Sequence, residues 1–156
     1  MTDAQKQFLD KASAAAHQAT HPFPRMAAAE AALESGYGLS GLAIEDNNLF
    51  GMKQHIHPLY GTASLPTKEF ENGEWVSVVA EWVKYPDWPT CFFDRLTTLT
   101  RLSHVYPHYE AALQATDAET YVREVSQTWS TDPARADKVL AIYQQYVTQV
   151  TPQGAD

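Results

Sequence analysis

Residues 26–38, Met-Ala-Ala-Ala-Glu-Ala-Ala-Leu-Glu-Ser-Gly-Tyr-Gly, constrain this chain more than any other stretch. Alanine is the best helix former, and the run holds no β-branched residue. Pro22 and Pro24 stand just before it, where proline is tolerated. Gly36 and Gly38 stop it, because glycine takes the left-handed backbone that ends a helix. So many small side chains let other helices approach closely, which makes this a core helix. Glu30 and Glu34 lie one turn apart and share a face. Burial favours the protonated form of a carboxyl, which is the form a general acid needs. A carboxylate ending a core helix beside a glycine turn can therefore line a cleft. Taken alone, the stretch fits a solvated glutamate on an ordinary Ala-rich helix more simply.

Length and composition narrow the field. The chain has 156 residues, which reads as one domain over residues 1–150 and a tail over 151–156. Hydrophobic residues make up 44 %, enough for a sizeable core. Four Trp and eight Tyr can stack on sugar faces, although most such rings fill cores. The formal net charge of −8 argues against a nucleic-acid partner, whose phosphates demand a basic face. Cys91 is the single cysteine, so the chain has no internal disulfide and no cysteine-based zinc cluster. No apolar run is long enough to span a membrane. The N-terminal Met-Thr-Asp-Ala-Gln-Lys lacks the pattern of a signal peptide, and no export route is written in the chain.

Taken in order, residues 2–19 predict a helix capped by Thr2 or Asp3, with Phe8, Leu9, Ala12, Ala15, Ala16 and Ala19 recurring near helical spacing. A turn at residues 21–24 leads into the central helix. Residues 40–46 hold a short helical turn. Asn47 to Lys53 reads as a structured turn with Leu49, Phe50 and Met52 as buried plugs. Residues 54–66 read as an irregular loop carrying His55 and His57. Two strands, 67–71 and 74–85, flank Asn72-Gly73, the strongest short hairpin signal. Alternation puts Thr67, Glu69 and Glu71 on one face and Lys68 and Phe70 on the other. Helical patterns resume at Phe92, at Tyr109, at Ala118 behind a cap at Thr116 or Asp117, and after Asp132, with Pro133 at the first helical position. The fold class is α+β, mostly α, with a small β-hairpin lobe at about residues 64–85. Two lobes make a cleft, and carboxylates on both walls are the arrangement used in glycoside hydrolysis.

The segments Ala28–Ser40, Asn47–Lys53, Thr67–Gly73, Tyr85 and Ser130–Pro133, in that order, resemble the peptidoglycan N-acetylglucosaminidases of glycoside hydrolase family 73. These include the glucosaminidase domain of the flagellar rod-assembly hydrolase, bacterial autolysins and some phage lysins. The resemblance covers roughly residues 8–147 and rests on several motifs in order. It implies a lysozyme-like fold and an enzyme cutting the β-1,4 bond between N-acetylglucosamine and N-acetylmuramic acid. It implies Glu34 as general acid and Glu69 as second carboxylate, with Glu71 as its fallback. Trp129, Tyr37, Asn48 and Phe50 are expected as groove-wall or supporting residues that meet substrate. The expected partner is the peptidoglycan glycan strand, met as a monomer in the periplasm or outside the cell, with no cofactor and no metal.

Two positions depart from the family pattern. The family usually has Gln at Glu30; a second acid there either repels the charge of Glu34 or meets an arginine or water. It usually has Tyr at Trp129, which keeps the flat ring and loses the hydroxyl. Among the other candidates, Asp132 reads as a helix cap, Cys91 as a small buried residue, and His55/His57 and His104/His108 as poor metal spacings. The rivals are a lytic transglycosylase or muramidase on the same fold, and a wall-binding module with an impaired site.

Overall fold

The computed structural model describes residues 1–54 and 60–150. Its helices are α1 (Asp3–Gln18), α2 (Pro24–Ser35), α3 (Gly41–Asp46), α4 (Trp88–Leu102), α5 (Pro107–Leu113), α6 (Ala118–Trp129) and α7 (Arg135–Val147). Two strands, β1 (Thr62–Glu71) and β2 (Glu74–Val83), form an antiparallel sheet between α3 and α4.

The Ala-rich α2 is the axis of the helical lobe. It packs against α1 and α7. Ala27, Ala28, Ala31 and Ala32 enter one apolar cluster with Phe8, Leu9, Leu49, Phe50 and Phe92. Met26 and Ala29 enter a second, with Phe23, Leu99, Tyr121, Val122 and Val139. Burial on nearly every side explains why the helix needs so many small residues. An added side chain at Ala28 or Ala31 would overpack the core, at a cost of about 1–3 kcal/mol. Thr2 caps α1 through a reciprocal capping box with Gln5.

The end of α2 is sharp. Gly36, Tyr37 and Gly38 are successive left-handed residues with φ of 58°, 57° and 80°. Ser35 Oγ donates to Ala31 O at 2.6 Å and accepts from the Gly38 amide at 2.8 Å, tying the turn to the last helical turn. A Cβ at Gly38 would lie 2.8 Å from the Phe8 ring, so this position requires glycine for space as well as for φ.

The hairpin turns at Asn72 and Gly73, both with positive φ (51° and 83°), as a type I′ turn requires. Glu69 pairs with Val76, Phe70 with Trp75 and Glu71 with Glu74. The strand pairing begins earlier than the sequence reading expects, at Thr62 rather than Thr67, and includes Pro66 opposite Val79. Both strands of a two-stranded sheet are edges, where a residue without an N–H is tolerated. The loop expected over 54–66 is thus replaced by strand from Thr62; His55 and His57 lie outside the described residues.

The base of the hairpin is stitched to the helices by the segment 46–54. The Val83 amide donates to Met52 O, that of Gln54 to Glu81 O, and that of Tyr85 to Asp46 O. Helix starts also differ from the reading: α5 begins at Pro107 rather than Tyr109, with the proline in its first turn. Helix α4 begins at Trp88, because Asp87 caps it through the Thr90 amide and Pro89 fits the first turn. Helix α7 begins at Arg135, so Pro133 sits in the preceding turn, where Asp132 accepts from the Ala134 amide.

Candidate active site

Glu30 and Glu34 share a face of α2 but meet different surroundings. Glu30 is wholly buried and bound by two arginines. Arg95, on α4, meets it with both terminal nitrogens, at 3.0 and 2.8 Å. Arg135, the first residue of α7, donates from Nη2 at 2.9 Å. The Tyr121 hydroxyl, on α6, adds a fourth bond at 2.9 Å. Burial by itself would push the Glu30 carboxyl up; the two guanidinium groups outweigh it and hold the group well below the usual carboxylate range. The second acid therefore meets arginine.

Glu34 stands at the surface end of the same network, its side chain 26 % exposed. Arg135 donates to it from Nε at 3.0 Å and from Nη1 to Ser126 at 2.8 Å. One guanidinium thus uses separate nitrogens to hold Glu34, Glu30 and Ser126. Glu34 lies in the last turn of α2, one residue before its final residue Ser35 and the Gly36 cap.

Trp129, the last residue of α6, is half-buried and packs against both apolar clusters. Its ring lies over the Arg95 guanidinium at 4.3 Å, and the Phe50 ring lies over the same group at 4.7 Å. Arg95 Nε is buried without a hydrogen-bond acceptor, and these π faces are what surround the charge instead. His21 completes the network from the α1–α2 turn. It meets the Tyr121 hydroxyl through Nε2 at 3.2 Å, and its Nδ1 accepts from the Phe23 amide at 2.9 Å. Burial holds the imidazole neutral and lowers its pKa to about 4, against the pull of Glu30.

The hairpin brings its carboxylates on the face that sequence alternation assigns. Glu69 is about half exposed and pairs with Lys53 Nζ at 3.3 Å. Lys53 bridges to Trp82 of β2 and holds its ammonium 5.3 Å from that ring. Glu71 is exposed at the turn, opposite Glu74. Of the two, Glu69 is the one tied to the stitching segment.

The other expected site residues support the walls from inside. Asn48 is buried, with its amide donating to Met52 O and Val83 O at 3.0 Å each and accepting from the Met52 amide at 2.9 Å. Its side-chain amide is thus committed to Met52 and to Val83 at the hairpin base. Phe50 is likewise buried, edge-on against Phe92 and under Arg95. Tyr37 is partly exposed in the glycine turn, its ring edge-on to Phe8 at 6.0 Å. Cys91 is buried, and burial pushes its thiol up to about 12, far from nucleophilic use.

Sequence reasoning did not single out Arg95, Arg135 or Lys53. The one available signal was Glu30 itself: an acid in the middle of an Ala-rich core helix requires buried cations, though not at named positions.

A partly exposed acid near the end of a buried core helix, in a mostly helical fold that also carries an acid-bearing hairpin, is the kind of carboxylate set a glycosidase uses. The model of the glucosaminidase family, described as mannosyl-glycoprotein endo-beta-N-acetylglucosaminidase, matches residues 10–148, and the chain belongs to that family. It is 31 % identical over 153 residues to exo-glucosaminidase LytG of Bacillus subtilis, covering 92 % of this chain and 52 % of that protein. It is 32 % identical over 126 residues to peptidoglycan hydrolase FlgJ of Vibrio parahaemolyticus, covering 78 % of this chain and 40 % of that protein. The chain thus spans about half or less of the length of these curated relatives. Among solved structures, a C-terminally truncated glycoside hydrolase domain of Salmonella typhimurium FlgJ superposes with a TM-score of 0.73 at 29 % identity, covering 94 % of this chain and 99 % of that one. The catalytic domain of the autolysin Auto of Listeria monocytogenes has the same lysozyme-like fold, with a TM-score of 0.80 at 24 % identity, covering 94 % and 86 %.

Proposed function

We propose that this chain hydrolyses peptidoglycan at the β-1,4 bond between N-acetylglucosamine and N-acetylmuramic acid, on the wall side of the cell envelope. Residues 1–150 act as one catalytic domain and as a monomer. The observation that carries this reading is the placement of Glu34. It lies in the last turn of the buried core helix of a glucosaminidase-family chain and keeps a partly exposed carboxyl at the surface end of an otherwise buried ion network.

In this mechanism Glu34 donates its proton to the glycosidic oxygen as the bond to the anomeric carbon breaks. Attack on that carbon takes one of two forms. Glu69 removes a proton from water, which adds from the opposite face and inverts the centre. Alternatively, the 2-acetamido oxygen of the substrate adds first and water then opens the ring it forms, which retains the centre without a protein nucleophile. Inverting pairs stand roughly 6.5–9.5 Å apart and retaining ones roughly 5–5.5 Å. A hairpin joined at its base can close on substrate, so the working distance is set in the complex. Trp129, half-buried over Arg95, serves as the aromatic platform for a sugar ring, and Glu71 stays peripheral.

Glu34→Gln tests the reading. The amide keeps the shape of the side chain and cannot supply the proton. The expected result is a folded protein that no longer releases dye from labelled wall. Lysis within a few-fold of the unmodified enzyme would remove Glu34 from the chemistry. Mass spectrometry of wild-type products checks the bond: reducing-end N-acetylglucosamine supports this reading, and an anhydromuramyl end points to a lytic transglycosylase.

A further inference from the structure

We propose that Arg135 is a positioning residue for the Glu34 carboxyl, and that Glu30 is the counter-charge that makes this arginine usable; the inference rests on the reading of Glu34 as the proton donor. Arg135 holds Glu34 through Nε at 3.0 Å. Its other two nitrogens are anchored at Ser126 and Glu30. The arginine is 2 % exposed, so its head group has no freedom to swing away. Glu34, by contrast, is a flexible side chain at a helix end with partial access to water. The planar fork of arginine fixes the direction of the one hydrogen bond that Glu34 receives from this network.

A lone arginine beside a proton donor would work against it, because a neighbouring cation favours the ionised carboxylate. Glu30 offsets this. Two glutamates and two arginines, Glu30, Glu34, Arg95 and Arg135, make a neutral set, with Glu30 in contact with both guanidinium groups. The other titratable groups around it are Tyr109 on α5, Tyr121 on α6 and His21 in the α1–α2 turn. Both phenols are pushed above their ordinary value, chiefly by burial, and His21 charges only near pH 4. Between about pH 5 and 9 these three groups keep their charge.

The test is turnover on solubilised, uncross-linked glycan strands, followed against pH for wild type, Arg135→Gln, Arg135→Lys and the double variant Glu30→Gln/Arg135→Gln. Arg135→Gln is expected to lower kcat by roughly ten- to hundredfold through misplacement of the donor, with KM within about twofold. Its alkaline limb moves upward by about one pH unit, because the cation that favoured ionisation is gone. Arg135→Lys keeps the charge and loses the fork, so kcat falls while the limb stays. The double variant removes one charge of each sign from the buried set. It covers the case in which Arg135→Gln fails to fold, and it too is expected to show a lowered kcat and a displaced limb. A folded Arg135→Gln or double variant with wild-type kcat and an unmoved limb overturns the proposal. So does a loss of kcat with no movement of the limb in either variant, which marks a merely structural role. Glu34→Gln run alongside separates the two readings. If it is inactive while the Arg135 variants match wild type, the positioning role alone falls. If it is active, the assignment of Glu34 as donor falls.

Discussion

The carboxylates of Glu30 and Glu34 stand one helical turn apart on α2 and are bound by the same guanidinium, that of Arg135, at 2.9 and 3.0 Å. The inner one is buried and held in its charged form by the two guanidinium groups. The outer one reaches the surface. The same helix face therefore carries a structural acid and a candidate working acid, separated only by depth.

This depth makes Glu30 a stability residue. Glu30→Ala leaves Arg95 and Arg135 buried with no carboxylate between them. Breaking a buried pair costs about 3–5 kcal/mol, and two guanidinium groups lose their partner here. The expected outcome is a large fall in the urea midpoint. A midpoint within experimental scatter of wild type would mean that the cluster relaxes into water.

Stability should fall on mild acidification because of His21. Its pKa is about 4 in the folded protein against an ordinary 6.5, since burial disfavours the charged ring. The unfolded chain therefore binds the proton first as pH drops. Stability is full above about pH 6.5, declines as pH falls toward 4, and levels off below that for this group. The loss is on the order of 3 kcal/mol at most. Glu30 adds a further loss at lower pH, because its carboxyl is held below the ordinary range and the unfolded chain is protonated first. Chemical denaturation at a series of pH values checks this, with His21→Gln expected to flatten the slope between pH 6.5 and 4.

Glu69→Gln should cut turnover sharply if water is activated from the hairpin, and Glu71→Gln should cut it little. Glu69 is tied to Lys53 at the stitched side of the hairpin, whereas Glu71 lies exposed at the turn beside Glu74. Turnover on glycan strands measures both. Full activity of Glu69→Gln would leave the acetamido route or Glu71 as the candidates.

Trp129→Ala should lose stability, because the ring covers the Arg95 guanidinium, and glycan affinity as well if the half-buried ring is the sugar platform proposed above. The stability term is about 3 kcal/mol, within the range for removing a large aromatic side chain from a packed site. Trp129→Tyr keeps a ring over Arg95 and is expected to be tolerated in both respects. Melting temperature and sedimentation with purified wall separate the two effects.

Gly38→Ala should destabilise by about 2 kcal/mol or more, from a left-handed backbone and a methyl group set against Phe8. Gly36 shares the backbone demand without the crowding, so Gly36→Ala is expected to cost less. Paired thermal melts give the difference.

Much of this architecture was legible from local chemistry. The Ala-rich run with prolines before it and glycines after it dictates a helix and its two ends, because those residues act through their own backbones. Asn72-Gly73 dictates the hairpin turn for the same reason, and Asp117 the start of α6. Strand alternation correctly placed Glu69 and Phe70 on opposite faces. Motif order was enough to point to the family. What the linear chain does not carry is the pairing of distant charges. Arg95 lies 65 residues from Glu30 and Arg135 lies 105 residues from it. Nothing in the composition around either arginine marks it as buried. Only the packing of α4, α6 and α7 around α2 removes water from that point, and only without water does Glu30 require both guanidinium groups. The same packing commits Asn48 to Met52 and Val83, and leaves Glu34, alone of the pair, within reach of solvent.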